Sequence, residues 1–255
     1  MKRIFYSLII KIYKLIITGF KKNKMRVEHL GTYYGGYDIY NTNNINTVLS
    51  CGLGEDASFD VELITKYNCK VIIIDPTPRA ISHFYQIQKR FGQRKIVSYN
   101  RNSGAQSVES YDLTKINSEN ICLIQKAVFN ENCEKIKLFF PNNQDFVSTS
   151  FEKDKNYSKK YFLAETISLK NIMKEKALKK IDILKLDIEG GEIIVLHNMV
   201  QSMIFPDQIL VEYKNINSAN FYKFLEIYRI NKILRKNGYK IINVNNKGDF
   251  TYLKN

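Results

Sequence analysis

Short apolar runs alternate with longer amphipathic stretches through most of the chain. Thr47-Val48-Leu49-Ser50 is a short strand that stops at CGLGED. From about Ala57 to Tyr67 the apolar residues Phe59, Leu63 and Ile64 recur at helical spacing, which predicts a helix. Residues 71–74 form a second buried strand, ending at Asp75. Thr77 then caps a helix predicted to reach about Phe91, with Pro78 in its first turn, where a fixed φ suits the helix. Ile121 to Phe129 and the alternating Lys135 to Phe140 read as strands, the second ended by Pro141. Ser168 to Lys179 is a predicted helix. Ile183 to Asp187 is a strand that runs into the helix EIIVLHNMV, and Gln208 to Tyr213 is a further strand. Phe221 to Lys236 is a helix closed by Asn237-Gly238, and two strands, Tyr239–Val244 and Asp249–Leu253, flank NNKG as an antiparallel hairpin. The polar stretches 98–118 and 142–160 read as loops, and the second is long enough to form a lid.

Strand, helix, strand, helix in this order implies a parallel sheet with right-handed crossovers. The expected fold class is therefore α/β, with about seven strands, helices on both faces and a closing hairpin, all within one domain over residues 27–255.

Residues 1–26 form a separate basic arm. Ser7, Lys11, Lys14, Thr18 and Lys21 recur at three- and four-residue spacing as one polar stripe, and Phe5, Ile9, Ile12, Ile16 and Phe20 form the opposite one. Lysines interrupt the apolar run, so it is too short to span a bilayer, and no small-residue cleavage site follows it. The helix either lies on the inner face of a membrane or packs on protein, its own domain or a second subunit.

Charge sharpens this division. The chain has 255 residues and a formal charge of +14, and residues 1–26 supply eight of those charges with no acid. The body is only mildly basic, so no nucleic-acid groove is expected. The four cysteines, Cys51, Cys69, Cys122 and Cys133, show no metal-ligand spacing, and a reducing cytosol is the simplest setting.

Gly52-Leu53-Gly54-Glu55-Asp56-Ala57 fits G-x-G-x-x-A between a strand and a helix, and Asp75 follows Gly54 by 21 residues. That spacing is the fingerprint of an adenosine ligand: backbone approaches at the glycines and a carboxylate meets the ribose hydroxyls. By itself it does not separate nicotinamide cofactors from S-adenosylmethionine. Glu55 and Asp56 would repel a pyrophosphate and attract an ammonium or sulfonium, although acids also favour any helix N-terminus.

The most acidic turn is ILKLDIEGGE, residues 183–192. Asp187 and Glu189 stand where ligands bind in open α/β sheets, at the carboxyl end of a strand. They suit a general base, or paired oxygen ligands for a divalent cation. Asp187 and Glu192 equally suit the start of the following helix. Glu212 ends the next strand and is a third candidate. His29, His83 and His197 read as structural.

VLSCGLGEDASFDVEL, VIIIDPTP and IDILKLDIEGGEIIVL together resemble the signature segments of the FkbM-type methyltransferases. The resemblance covers roughly residues 45–255, including the closing GYKI and GDFTYL strands. It implies a Rossmann-like seven-stranded fold, S-adenosylmethionine as cofactor, and methylation of an oxygen, often on sugars of surface polysaccharides or of natural products; the expected acceptor is a nucleotide-linked or glycan-bound sugar. It assigns Gly52, Leu53, Gly54, Glu55 and Asp56 to the cofactor loop, Asp75 to the ribose, Pro76 and Thr77 to the adenosine, and Lys126, Ala127 and Val128 to the adenine edge. Asp187 and Glu189 would then face the methyl group and the acceptor. The chain departs from the family pattern at Ser50, where an aspartate is common, and at Lys214-Asn215, where histidines often follow. A nicotinamide-dependent oxidoreductase, or a non-catalytic adenosine-binding module held to a membrane assembly by the arm, are the competing expectations.

Overall fold

The computed structural model describes residues 12–13, 15–17, 26–42, 44–100, 103–130, 134–143, 149–152, 156–214, 216 and 220–255. Most of the basic arm, and residues 144–148 and 153–155 of the expected lid loop, lie outside them.

Seven strands make the main sheet: β3 (Thr47–Cys51), β4 (Lys70–Ile74), β5 (Ile121–Ile124), β9 (Ile183–Leu186), β10 (Gln208–Val211), β11 (Tyr239–Val244) and β12 (Phe250–Lys254). Their order across the sheet is β11-β12-β10-β9-β3-β4-β5. The five strands from β10 to β5 pair in parallel, while β12 runs antiparallel to both β10 and β11. This is the mostly parallel sheet with a terminal hairpin that the pattern predicted.

The interior strands are buried on both faces, so successive side chains feed two different cores. Leu49, Ile72, Leu184 and Ile209 join one core with residues of α3 (Leu169–Glu175), α4 (Glu192–Gln201) and α5 (Phe221–Lys236). Val48, Val71, Ile73 and Leu210 join the other, with residues of α1 (Ser58–Tyr67) and α2 (Pro78–Gln88). Helices therefore cover both faces. Thr77 caps α2 as expected, its hydroxyl accepting from the Ala80 N–H at 3.4 Å.

Four features differ from the sequence expectation. A two-stranded ribbon, β1 (Val27–Leu30) with β2 (Tyr37–Tyr40), precedes the sheet. The span 121–129 is not one strand: after β5 it leaves the main sheet, and β6 (Ala127–Val128) pairs with β8 (Tyr157–Ile167). β8 also pairs with β7 (Lys135–Pro141) in a three-stranded sheet, and it occupies the end of the expected loop. Its lysines and exposed faces hide any alternating pattern, because few of its residues are buried. The helix expected to reach Lys179 stops at Glu175, where Ala177 turns into the left-handed region at φ 51°.

Candidate active site

The chain leaves β3 toward β4 on one side and reaches β9 on the other. The carboxyl ends of β3 and β9 therefore flank the switch point where open α/β sheets bind ligands. A cleft lies there, lined by the glycine loop, Asp75 to Thr77, the turn after β9, Glu212, and a roof from the β6–β8 sheet.

The first wall is built on backbone. Gly52 sits at φ 91°, and a Cβ on it would come 1.9 Å from the Asp187 carbonyl oxygen. Only glycine lets the two strand ends close this tightly. Gly54, at φ 56°, faces open space. Asp75 holds the loop: one of its oxygens accepts from Leu53 N–H at 2.8 Å and Gly54 N–H at 3.1 Å, the other from Thr77 N–H at 2.8 Å. A carboxylate has about four acceptor sites, so one remains for a ligand hydroxyl. Ala127, Val128 and Phe129 face this loop with Ile136, Leu138 and Phe151 as an apolar slot.

Three assignments on this wall change. Lys126 does not line the cleft; its ammonium turns outward to Glu165 at 3.5 Å. Glu55 and Asp56 do line the cleft, but their charges have partners. Arg79 meets Glu55 at 2.6 Å, while Asp56 accepts from the Thr32 hydroxyl at 2.5 Å and from Ser58 N–H at 2.9 Å. The contrast between pyrophosphate and sulfonium therefore rests less on these two acids than their sequence position implies.

The second wall concentrates acid. Asp187 follows β9 directly, and Glu189 beside it adopts φ 53°, a left-handed conformation held by Ser150, whose hydroxyl lies 2.8 Å from the Glu189 carbonyl. Tyr157 donates toward the Glu189 carboxylate at 3.4 Å. Glu212, at the end of β10, remains open to the cleft. Its carboxyl is nonetheless pushed up to about 8, first by the Asp187 charge and then by burial. The Asp187 charge thus favours the protonated form of Glu212 near neutral pH. Glu192 is buried under the turn and raised to about 7 by that burial, while accepting from Gly190 N–H at 2.9 Å. It stabilises the turn from beneath rather than facing the cleft.

Three further residues support this wall. Tyr37, from β2, is buried and donates to Asp187 at 2.9 Å. Buried Lys185 donates to the Gly52 carbonyl, and its ammonium lies 5.3 Å from the Tyr37 ring centre. Lys247, from the closing hairpin, lies 5.3 Å from the same ring and 3.1 Å from Asp249. Two cations thus flank the ring that orients Asp187. Lys185 was visible within ILKLDIEGGE as a lone lysine in an apolar strand; Tyr37 and Lys247 gave no local signal. Tyr34 also lines the cleft, and its hydroxyl is pushed up by burial and by the nearby carboxylates, Glu212 first.

The histidines stand apart from the chemistry. His83 is buried with Nε2 2.9 Å from the Tyr111 hydroxyl, and burial lowers its pKa, which keeps it neutral. His29 pairs with Asp38 at 2.8 Å. Among the described residues, no group of three or more His, Cys, Asp and Glu side chains is placed to hold a metal ion.

A mostly parallel sheet with a glycine loop at its switch point and carboxylates on the facing wall is the build of an open α/β domain whose ligands bind at the carboxyl ends of its strands. The family model described as Methyltransferase FkbM domain matches residues 38–241, and the chain belongs to this methyltransferase family. Comparison with curated proteins and with solved structures gives no match.

Proposed function

We propose that the protein transfers a methyl group from S-adenosylmethionine to a hydroxyl oxygen of a sugar, nucleotide-linked or glycan-bound, in the assembly of a surface polysaccharide. The observation that carries this reading is the placement of Asp187, Glu189 and Glu212 together on the wall opposite the glycine loop. A sugar hydroxyl is a poor nucleophile unless its proton has somewhere to go, and a carboxylate within hydrogen-bond reach can take it.

The cleft fits the cofactor. Open space in front of Gly54, the remaining acceptor site of Asp75 and the apolar slot over Ala127 and Val128 match a backbone-cradled nucleoside. The acid of the second wall suits a cation. When bound, S-adenosylmethionine supplies an electrophilic methyl group on a positively charged sulfur.

The protein supplies the rest. Gly52 and Gly54 let the backbone approach, and Asp75 fixes their N–H groups. Tyr37 holds one oxygen of Asp187 and so turns the carboxylate toward the cleft. Asp187 accepts the hydroxyl proton, and Glu212 shares the resulting charge balance. Glu189, pinned by Ser150 and Tyr157, accepts hydrogen bonds from a neighbouring hydroxyl of the acceptor. The cleft's other walls place the reacting oxygen, and such positioning is worth up to roughly 7–11 kcal/mol.

Two measurements test this. Calorimetry should show binding of S-adenosylhomocysteine and not of NADH; the reverse result defeats the proposal and favours the oxidoreductase reading. Mass spectrometry of nucleotide sugars and oligosaccharides incubated with enzyme and S-adenosylmethionine should then show a methyl gain on oxygen. A gain found only on nitrogen would remove the hydroxyl as acceptor.

A further inference from the structure

The turn between β1 and β2 holds an aromatic ring in the mouth of the cleft. Gly31 N–H donates to the Glu62 carboxylate at 2.7 Å and Thr32 N–H to the Ser58 hydroxyl at 2.8 Å, so one side of the turn is fastened to α1. Lys247 of the closing hairpin fastens the other side, donating to the Tyr34 carbonyl at 2.6 Å and to the Gly36 carbonyl at 3.3 Å. Between these anchors stands Tyr34, which lines the cleft and is 55% exposed.

One face of its ring is taken. A Cβ on Gly104 would lie 2.4 Å from Tyr34 Cε1 and 2.8 Å from both Cδ1 and Cζ. Such short and equal distances to the two neighbours of the nearest carbon mean an approach from above the ring plane, not from its edge. Gly104 thus backs one face, and its lack of a side chain lets the ring lie there. Gln106 N–H donates to the Glu55 carbonyl at 2.8 Å, so this backing is tied to the glycine loop. The exposure of Tyr34 therefore belongs to its opposite face and its edge. Burial, and then the charges of Glu212, Asp187 and Glu189, push the Tyr34 hydroxyl up, which sets that end of the ring toward the acidic wall.

A fixed aromatic face, backed on one side and open on the other, takes a flat apolar partner. A pyranose ring offers one, because its C–H bonds group on a face while its hydroxyls radiate from the edge. Stacked on Tyr34, it would turn those hydroxyls toward Asp187, Glu189 and Glu212. We propose that Tyr34 is the acceptor platform: its open face stacks on the sugar ring and so fixes which hydroxyl reaches Asp187. This assignment rests on a sugar being the acceptor.

Saturation-transfer NMR of the full chain with S-adenosylhomocysteine tests it, the probes being UDP-glucose, UDP-galactose, GDP-mannose and the methyl glycosides of the same sugars. The native chain should saturate the ring C–H protons of at least one probe. Tyr34→Ala should weaken binding of that probe about tenfold or more, and Tyr34→Phe, which keeps the ring, should not. Melting temperature and affinity for S-adenosylhomocysteine should stay unchanged in both variants, since the side chain is half exposed. Unchanged sugar binding by Tyr34→Ala overturns the platform and leaves the sugar reading standing. An equal loss in Tyr34→Phe assigns the contact to the hydroxyl, and a loss of S-adenosylhomocysteine binding in Tyr34→Ala assigns the ring to the cofactor; either result overturns the platform too. A native chain that binds no probe also overturns it, and a methyl gain on an acceptor without a pyranose ring overturns the sugar reading with it.

Discussion

On the wall formed by β3 and β4, each carboxylate has a partner of its own. Asp75 is held by three backbone N–H groups, Asp56 by Thr32 and Ser58, and Glu55 by Arg79. On the wall formed by β9 and β10, carboxylates press on one another. The Asp187 charge raises Glu212, a buried Glu192 lies below, and Glu189 keeps a left-handed backbone. The first arrangement spends acid on holding a loop still. The second leaves it available, so that a proton or a bound cation relieves the crowding. A rigid cradle beside a chemically poised wall is the division of labour that transfer to a weak nucleophile needs.

The contrast can be broken at several points. The largest effect is expected from Asp187→Asn. The turnover rate should fall by roughly 100- to 10,000-fold while S-adenosylhomocysteine still binds, measured by single-turnover assay and calorimetry. Loss of binding with turnover would place Asp187 in the cradle. Next is Gly52→Ala, where the new Cβ meets the Asp187 carbonyl at 1.9 Å on a backbone at φ 91°. A loss of roughly 3–5 kcal/mol in urea unfolding is expected, with cofactor binding abolished.

Glu192→Gln sharpens the comparison through pH. Folding raises the Glu192 carboxyl from 4.5 to about 7. The folded state therefore favours the protonated form, and its stabilisation, complete below the unfolded value, disappears as pH climbs toward 7. Glutamine does not ionise. The variant should gain on the order of 3 kcal/mol over the native chain between pH 5 and pH 8, measured by urea unfolding at both. The same change at both pH values would show that Glu192 is not the group responsible. The smallest effect is expected from Tyr37→Phe, which removes one hydrogen bond to Asp187. Turnover should drop by about tenfold, the size of a bond worth about 1.5 kcal/mol, with its pH profile shifted and the cofactor affinity unchanged. An unchanged profile would reduce Tyr37 to packing.

The interior sheet was legible because parallel strands covered on both faces read as unbroken apolar runs, as in VIII at 71–74 and ILKL at 183–186. The glycine loop, Asp75, Asp187 and Glu212 were legible because they sit at the ends of such runs. β1, β2 and β8 escaped because ribbons half open to solvent leave only short or mixed patterns. Tyr37 escaped for another reason: its partner Asp187 lies 150 residues away, and only the folded chain brings them together. Lys126 was misread because a segment that resembles an adenine edge does not reveal which of its neighbours turns inward. The arm's periodicity was visible, but the residues that meet the protein, Tyr13 and Ile17, belong to neither stripe, and Tyr13's partner Phe224 comes more than two hundred residues later.

The roof of the cleft differs from its floor in how it is encoded. Residues that cover the slot, from Ala127 through Leu138 to Phe151, come from one continuous span that forms its own three-stranded sheet. The floor is gathered from strands scattered along the chain. Roof and floor can therefore diverge at different rates: a single insertion, deletion or recombination between β5 and α3 renews the cover over a site while the cradle beneath it is inherited intact.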